Sequence, residues 1–330
     1  MTPGSAPGRA ADRARTIFLG SGAFAVPILE ALAKHPSVEL VGVMTAPDRP
    51  AGRGRLLRPT PIALLARSMW IPLLQPSRLR EPEAIAQVAD LRPELGVLAD
   101  YGQIVPRDLL ELPRLGILNL HPSLLPRHRG ATPIQATIAD GDNRTGVTII
   151  RMDEGVDTGP IVAVTAWPLL GTERAPDVEA FAAREAAALL DGTLDRWIAG
   201  TAPATPQDET AATTTRTLRR ADGRLDPMLP AQVLERRIRA YQPWPGTYVE
   251  TPAGRLAVHA ASTAAAEPGD VAGRLEPQGD RLALTTTSER LVLDEVQLAG
   301  RRSMRGDDFL RGQPDLAGVE LVAAEAVTVR

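Results

Sequence analysis

Residues 16–45 read TIFLGSGAFAVPILEALAKHPSVELVGVMT, and the order of patterns within them decides the fold. The run 16–20 is apolar and ends in glycine. Residues 23–34 then place Val26, Leu29 and Leu32 at helical spacing, and 38–45 return to an apolar run. Strand, turn, helix, strand is a βαβ unit: a strand that continues in the same direction needs a crossover, usually helical. The alternation repeats. Helices are predicted over 62–70 and 81–91, and strands over 71–74, 95–99 and 116–120. Together they predict a doubly wound, Rossmann-like parallel sheet, with ligands beyond the carboxyl ends of its strands. Gly20, Gly22 and Ala25 match a dinucleotide fingerprint. The acid expected near the end of the next strand has no good candidate: Glu39 comes too early and Asp48 sits among Pro and Gly. The preferred reading is a tight turn where helix meets sheet, and a nicotinamide-dependent oxidoreductase is the remote alternative.

Further on, residues 146–152 and 161–168 read as strands, and 179–198 as a long Ala-rich helix. The polar stretch that follows is rich in Thr and Pro and lacks apolar spacing. After it come one helix, 231–241, and short alternating runs at 247–250, 255–261, 281–286 and 291–297, which predict a small β-barrel, OB-like. The expected division is a disordered tail over 1–15, a catalytic domain over 16–205, a linker over 206–223 and a C-terminal β module over 224–330. A length of 330 residues suits two domains. Aromatics make up only 3%, so aliphatic residues and Ala must fill the cores. There is no cysteine, which excludes disulfides, thiolate zinc sites and a cysteine nucleophile. A net charge of −3 gives no whole-chain signal for nucleic acid. No apolar run is long enough to span a bilayer. A monomeric, cytoplasmic protein is expected.

The chemistry concentrates at the end of the 116–120 strand, in NLHPSLLP (119–126), and in the loop DEGVDTG (153–159). Asn119 and His121, at i and i+2, share one face of an extended strand. A neutral amide can donate to a developing oxyanion and a histidine can move a proton near neutral pH. An aspartate such as Asp157 can orient and charge-stabilise that histidine. Of the other histidines, His35 suits a helix end, His259 alternates within a strand, and His128 is expected at the surface between two arginines. One histidine with scattered aspartates makes no metal set. Ser123 lies outside any nucleophile elbow. It reads instead as part of a loop, with Pro122 and Pro126, whose backbone recognises a ligand. Three Arg-rich stretches complete the inventory. The first, PDRPAGRGRLLRPTPI (47–62), carries Arg49, Arg53, Arg55 and Arg58; the second holds Arg216, Arg219, Arg220 and Arg224; the third holds Arg301, Arg302, Arg305 and Arg311. Each alone reads as solvated charge. Together they suggest a phosphate-binding track.

The segments NLHPSLLPRHRGATPIQ and TGVTIIRMDEGVDTGPI resemble the signature of folate-dependent formyltransferases. TAPDRPAGRGRLLRPTPI and IRAYQPWPGTYV resemble the members that formylate methionyl initiator tRNA, and the likeness extends from about residue 16 to about residue 312. It implies a co-substrate, 10-formyltetrahydrofolate, and no metal. It implies that Asn119 donates to the tetrahedral oxyanion, that His121 handles protons, and that Asp157 holds the histidine. Ser123, Leu124, Leu125 and Pro126 would bind folate, with the backbone around Tyr101 and Gly102. Arg49, Arg53, Arg55, Arg58, Arg301 and Arg302 would meet tRNA. A formyltransferase acting on a nucleotide sugar or other small amine is the nearest alternative. Thr214, Thr217 and Pro227 depart from the Tyr, Lys and Trp usual in such proteins. His128 stands where Trp is common, and Asp100 is an unusual acid.

Overall fold

The computed structural model describes residues 13–51 and 56–321. The chain forms two compact units, one drawn from Met1–Ala131, Thr145–Trp167 and Glu179–Thr214, the other from Thr132–Arg144, Pro168–Val178 and Thr215–Arg330.

In chain order the elements begin with β1 (Ala14–Gly20), α1 (Ala25–Lys34), β2 (Val38–Met44), β3 (Arg49–Ala51), β4 (Leu56–Arg58), α2 (Pro61–Ser68) and β5 (Leu73–Leu74). They continue with α3 (Pro82–Asp90), β6 (Leu95–Ala99), α4 (Arg107–Leu110), β7 (Ile117–His121) and β8 (Arg129–Gly130). Next come α5 (Pro133–Asp140), β9 (Arg144–Arg151), β10 (Ile161–Pro168) and α6 (Ala175–Ile198). A seven-stranded sheet runs β10-β9-β7-β6-β1-β2-β5. Its pairs β5/β2, β2/β1, β1/β6 and β6/β7 are parallel, and β9 joins β7 antiparallel. Strand order reverses between β1 and β6, which is the switch point where a doubly wound sheet opens a crevice.

The central strands β1, β6 and β7 are buried on both faces, so they are apolar runs rather than alternating ones, whereas β10 at the end of the sheet alternates. Phe18, Val43, Val97, Leu118 and Leu120 pack with Ile28, Leu29 and Leu32 of α1 and Leu190 and Leu194 of α6. The residues between them, Ile17, Leu19, Met44, Leu98 and Ile117, pack on the other face with Val88 of α3 and Leu109 of α4. Each such side chain contributes about 1.5–3 kcal/mol on burial. The helix α2 starts where the sequence says it should: Thr60 Oγ1 accepts the Ala63 N–H at 3.0 Å and Pro61 takes the first turn, where its missing N–H costs nothing.

The second unit holds α5 and, after β11 (Thr214–Thr215), α7 (Ala231–Ala240), β12 (Thr247–Thr251), β13 (Gly254–Ala265), β14 (Leu275–Gln278), β15 (Arg281–Thr285), β16 (Glu289–Leu298), β17 (Met304–Arg305) and α8 (Gly306–Gly312). Its antiparallel sheet runs β12-β13-β16-β15-β14, with β17 on β16 and register shifts around Ala260 that mark bulges in β13. Leu256, Val258, Leu282, Leu284, Leu291 and Val296 form a core with Leu234, Ile238 and Phe309. This is the barrel-like module expected, with two unforeseen strands, β14 and β17. β14 contains Pro277 and lies at the end of the sheet path, the position where a strand tolerates proline.

Candidate active site

Register sets the site. Gly20 stands level with Ala99, and Leu98 with Asn119, so β1, β6 and β7 end together at one edge of the sheet. In β7, Leu118 and Leu120 turn into one core, which leaves Asn119 and His121 side by side on the other face. Both are buried, at 7% and 4% exposure. Buried polar groups need partners, and one carboxylate supplies them. Asp157 Oδ1 accepts from Asn119 Nδ2 at 3.0 Å, and its Oδ2 lies 3.5 Å from His121 Nδ1 while accepting the Gly130 N–H at 2.7 Å. Asn119 keeps a second Nδ2–H with no partner among the described residues.

His121 Nε2 lies 2.9 Å from the His128 carbonyl. A carbonyl only accepts, so in the neutral ring Nε2 carries the proton and Nδ1 keeps its lone pair beside Asp157. Burial holds the imidazole below its ordinary pKa; the Asp157 charge and the His128 carbonyl push it back up, and the His128 ring pushes it down. At neutral pH the ring is therefore a base, with a carboxylate placed to stabilise the imidazolium.

Asp157 has a left-handed backbone, φ 55°, that few non-glycine residues adopt. Its loop is knit from within: Asp153 Oδ1 accepts from the Gly155 N–H at 3.0 Å and from Thr158 Oγ1 at 2.6 Å. It is also held from outside, since Gln207 Nε2 donates to the carbonyls of Asp157 at 2.8 Å and Gly159 at 2.7 Å.

The 123–126 segment is equally fixed. Ser123 donates from Oγ to the Arg127 carbonyl at 2.7 Å, so its hydroxyl is occupied. Thr148, buried on β9, donates to the Ser123 carbonyl at 2.7 Å and accepts the Leu125 N–H at 3.2 Å. Leu125 is buried, while Leu124 and Pro126 keep part of their surface. The Tyr101 ring lies in the core beneath the sheet and its hydroxyl has no partner among the described residues; burial pushes that hydroxyl's pKa well up. What the 101–102 turn presents is backbone, at an exposed Gly102 with φ 79°.

The glycine turn is filled by the chain itself. The N–H groups of Ser21 and Gly22 both point at the Asp100 carbonyl, at 2.9 and 3.5 Å. Burial raises the carboxyl pKa of Glu179, and the nearby Phe24 N–H counters part of that rise. Asp100, left-handed at φ 47°, lays its carboxylate directly over Gly22, so a Cβ there would collide with it. The residue as a whole is exposed, yet the carboxyl is enclosed enough that desolvation, then Glu179, raises its pKa to about 6.

Of the basic residues, Arg49 and Arg58 sit opposite each other on the β3–β4 ribbon, both exposed. Arg53 and Arg55 lie outside the described residues. Arg301 and Arg302 are exposed in the turn after β16. His128 is buried rather than superficial, because its carbonyl faces His121 and its N–H donates to Thr213 Oγ1 at 2.8 Å. Gly130, Thr148 and Gln207 went unnoticed in the sequence. Gly130 acts through its N–H, Thr148 looks like any strand residue, and Gln207 lies in a polar stretch without periodicity. Among the described residues no group of three or more His, Asp or Glu is placed to hold a metal ion, and no helix is long and apolar enough to cross a membrane.

Comparison with known proteins gives the family. A family model described as formyl transferase covers residues 14–192, and one described as the formyl transferase C-terminal domain covers 217–314. A methionyl-tRNA formyltransferase of Chloroflexus aurantiacus is 45% identical over 304 residues, which is 90% of this chain and 96% of that one. Its counterpart in a Roseiflexus species is 42% identical over 313 residues, 94% of this chain and 96% of that one. Among solved structures, an N-formyltransferase from Helicobacter canadensis, in complex with folinic acid and dTDP-3-aminofucose, superposes with a TM-score of 0.64 at 16% identity, over 85% of this chain and 98% of that one. HypX from Aquifex aeolicus, in complex with tetrahydrofolic acid, does so at 0.60 and 15%, over 92% of this chain and 47% of that one. At such identities the two structures speak for the fold alone. With its sheet, its buried amide–imidazole–carboxylate cluster and both parts matched by family models, the chain belongs to the formyl transferase family.

Proposed function

We propose that this chain transfers the formyl group of 10-formyltetrahydrofolate to the α-amino group of methionyl initiator tRNA. The observation that carries the chemistry is a single carboxylate, Asp157, bonded to Asn119 and Gly130 while facing His121 Nδ1. The amine nitrogen bonds to the formyl carbon, and the carbonyl π pair moves to oxygen, where the spare Nδ2–H of Asn119 stabilises it. Nδ1 of His121 takes the amine proton, and Asp157 stabilises the imidazolium. The carbonyl re-forms as the bond to folate N10 breaks, and the proton passes to N10. The 123–126 segment and the backbone at Tyr101 and Gly102 hold the folate.

Similarity to the two bacterial relatives supports the tRNA substrate, and so does the β3–β4 ribbon. Like charges directly opposite on a ladder repel, and Arg49 and Arg58 have no acidic partner among the described residues. A shared phosphate removes that cost, since the guanidinium fork matches its oxygens. Arg53, Arg55, Arg301 and Arg302 extend the same role. The catalytic part is residues 16–205 and the tRNA-holding module residues 224–330, in a monomeric cytoplasmic enzyme.

The test is formylation of methionyl initiator tRNA, methionyl elongator tRNA and a dTDP-amino sugar by wild type and His121→Ala. The proposal expects initiator tRNA to be preferred and the variant to lose on the order of a hundredfold or more. A preference for the sugar would establish the alternative reading, and a fully active His121→Ala would end the mechanism. Binding to tRNA should also weaken steeply with salt, because neutralised phosphates release counterions.

A further inference from the structure

Gln207 lies between the two stretches that the family models cover, 14–192 and 217–314. Its carboxamide nevertheless uses all of its hydrogen-bonding directions on the site. The two Nε2 hydrogens go to the carbonyls of Asp157 at 2.8 Å and Gly159 at 2.7 Å. Oε1 accepts from Arg129 Nε at 3.1 Å and from its NH2 at 2.9 Å. Carbonyls only accept and guanidinium only donates, so the amide has one allowed orientation. Arg129 is buried and in turn is held by both oxygens of Glu209, at 2.8 and 2.7 Å. Its own N–H donates to the Thr213 carbonyl at 2.9 Å, and Thr205 bonds to Ile161 in both directions. Residues 205–213 thus lace the start of β10, the Asp157 loop and the 126–130 loop together.

We propose that Gln207 is a positioning residue, whose carboxamide fixes the left-handed bend at Asp157 and thereby aims that carboxylate at His121 Nδ1. The bend costs Asp157 free energy, because φ 55° is less favourable for a residue with a β-carbon than for glycine. A bend of this kind persists where its surroundings over-determine it. Here two carbonyls, on either side of Thr158, are tied to one nitrogen, and that nitrogen is tied through Oε1 to a buried arginine. Gly130, which donates to Asp157 Oδ2, is the residue after Arg129, so both grips on Asp157 run through the same ion pair. The inference rests on the reading of His121 as the base.

The experiment is a pH profile of kcat/KM, with kcat, KM for 10-formyltetrahydrofolate and thermal midpoint, for wild type, Gln207→Met, Gln207→Glu and the control Asp208→Asn. The groups facing His121 are Asp157 and His128, with Arg129 and Asp153 beyond Asp157. The negative charge of Asp157 raises the His121 pKa. When that carboxylate drifts, the imidazole loses its proton more easily, so the acid limb of the profile moves to lower pH. The expected result for Gln207→Met is that shift, with kcat down at least about tenfold and the folate KM within about twofold of wild type. Gln207→Glu keeps an acceptor for Arg129 but sets an oxygen against two carbonyls, and it should behave like Gln207→Met. Asp208→Asn, which touches the cap of the neighbouring turn and none of the hydrogen bonds of Gln207, should keep the wild-type limb.

A Gln207 variant with wild-type kcat and an unmoved limb overturns the proposal. So does a rate loss that tracks the thermal midpoint while the limb stays fixed, since that is plain destabilisation. Should Gln207→Met fail to fold, Gln207→Glu decides by the same two readouts. His121→Ala, run alongside, separates the two ideas: if it is fully active, the acid–base reading falls; if it is inactive while both Gln207 variants match wild type, only this inference does.

Discussion

Replacing Thr148 by valine removes one oxygen from a side chain with no exposed surface. That oxygen donates to the Ser123 carbonyl and accepts from the Leu125 N–H. Valine keeps the shape, so the cost comes from two main-chain groups left without partners. Each unsatisfied buried group costs about 1–3 kcal/mol, so the expected loss for the two is about 2–6 kcal/mol. Its lower end corresponds to a drop in thermal midpoint of roughly 4–8 °C for a domain of this size. The same change frees the backbone of the segment assigned to folate, so KM for 10-formyltetrahydrofolate should rise several-fold while kcat moves little. Thr148→Ser keeps both bonds and gives up one methyl, worth about 1 kcal/mol. Urea titrations of the three proteins, with folate saturation curves, are the assay. A valine variant within about 0.5 kcal/mol of wild type, a difference typical of unimportant surface changes, refutes the reasoning. So does a serine variant as unstable as the valine one.

Asp157→Asn keeps the size but removes the charge, and its new NH2 must face Asn119 or the Gly130 N–H; formylation should fall by roughly 10²–10⁴-fold, with any residual activity retained to lower pH than in wild type. Asp100 has a folded pKa of about 6 against an unfolded value near 3.8. Between those pH values the native state binds more protons than the unfolded one, so this contribution to stability is present below the unfolded pKa and is lost as pH rises through about 6. Asp100→Asn should therefore raise the thermal midpoint at pH near 7.5 more than at pH near 4, and a lowered midpoint at neutral pH contradicts that. Gly146→Ala would drive a Cβ into the Thr165 carbonyl and Leu124 Cδ2. A loss of about 1–3 kcal/mol is expected, together with weaker folate binding by equilibrium titration; unchanged values of both would show that the strands can part there.

The sequence was most legible where burial dictates residue type on both sides. β6 begins and ends where its apolar run does, because Gly96–Leu98 is walled by β1 and β7 and has no polar alternative. The nearness of Asn119 and His121 followed from strand geometry, and their meeting with Asp157 depended on contacts no local pattern reports. The antiparallel turn of β9 onto β7 was not foreseen, since an apolar strand carries no mark of its direction. The helix α6 starts at Ala175, four residues before the reading of its Ala-rich stretch, as the segment Ala-Pro-Asp-Val offers little helical signal. Gln207 stayed hidden for a related reason: its partners are main-chain carbonyls far along the chain, and carbonyls have no letter in the sequence.

The self-sealed turn after β1 bears on how this architecture can be repurposed. In dinucleotide enzymes the amides at that corner greet a pyrophosphate; here those of Ser21 and Gly22 are committed to the Asp100 carbonyl, with the Asp100 carboxylate parked above. Grafting nicotinamide chemistry onto this scaffold would thus demand breaking both amide bonds to Asp100 and moving its carboxylate before any new contact could form. The proposed site lies two strands away, at the tip of β7, and the corner after β1 now serves as masonry.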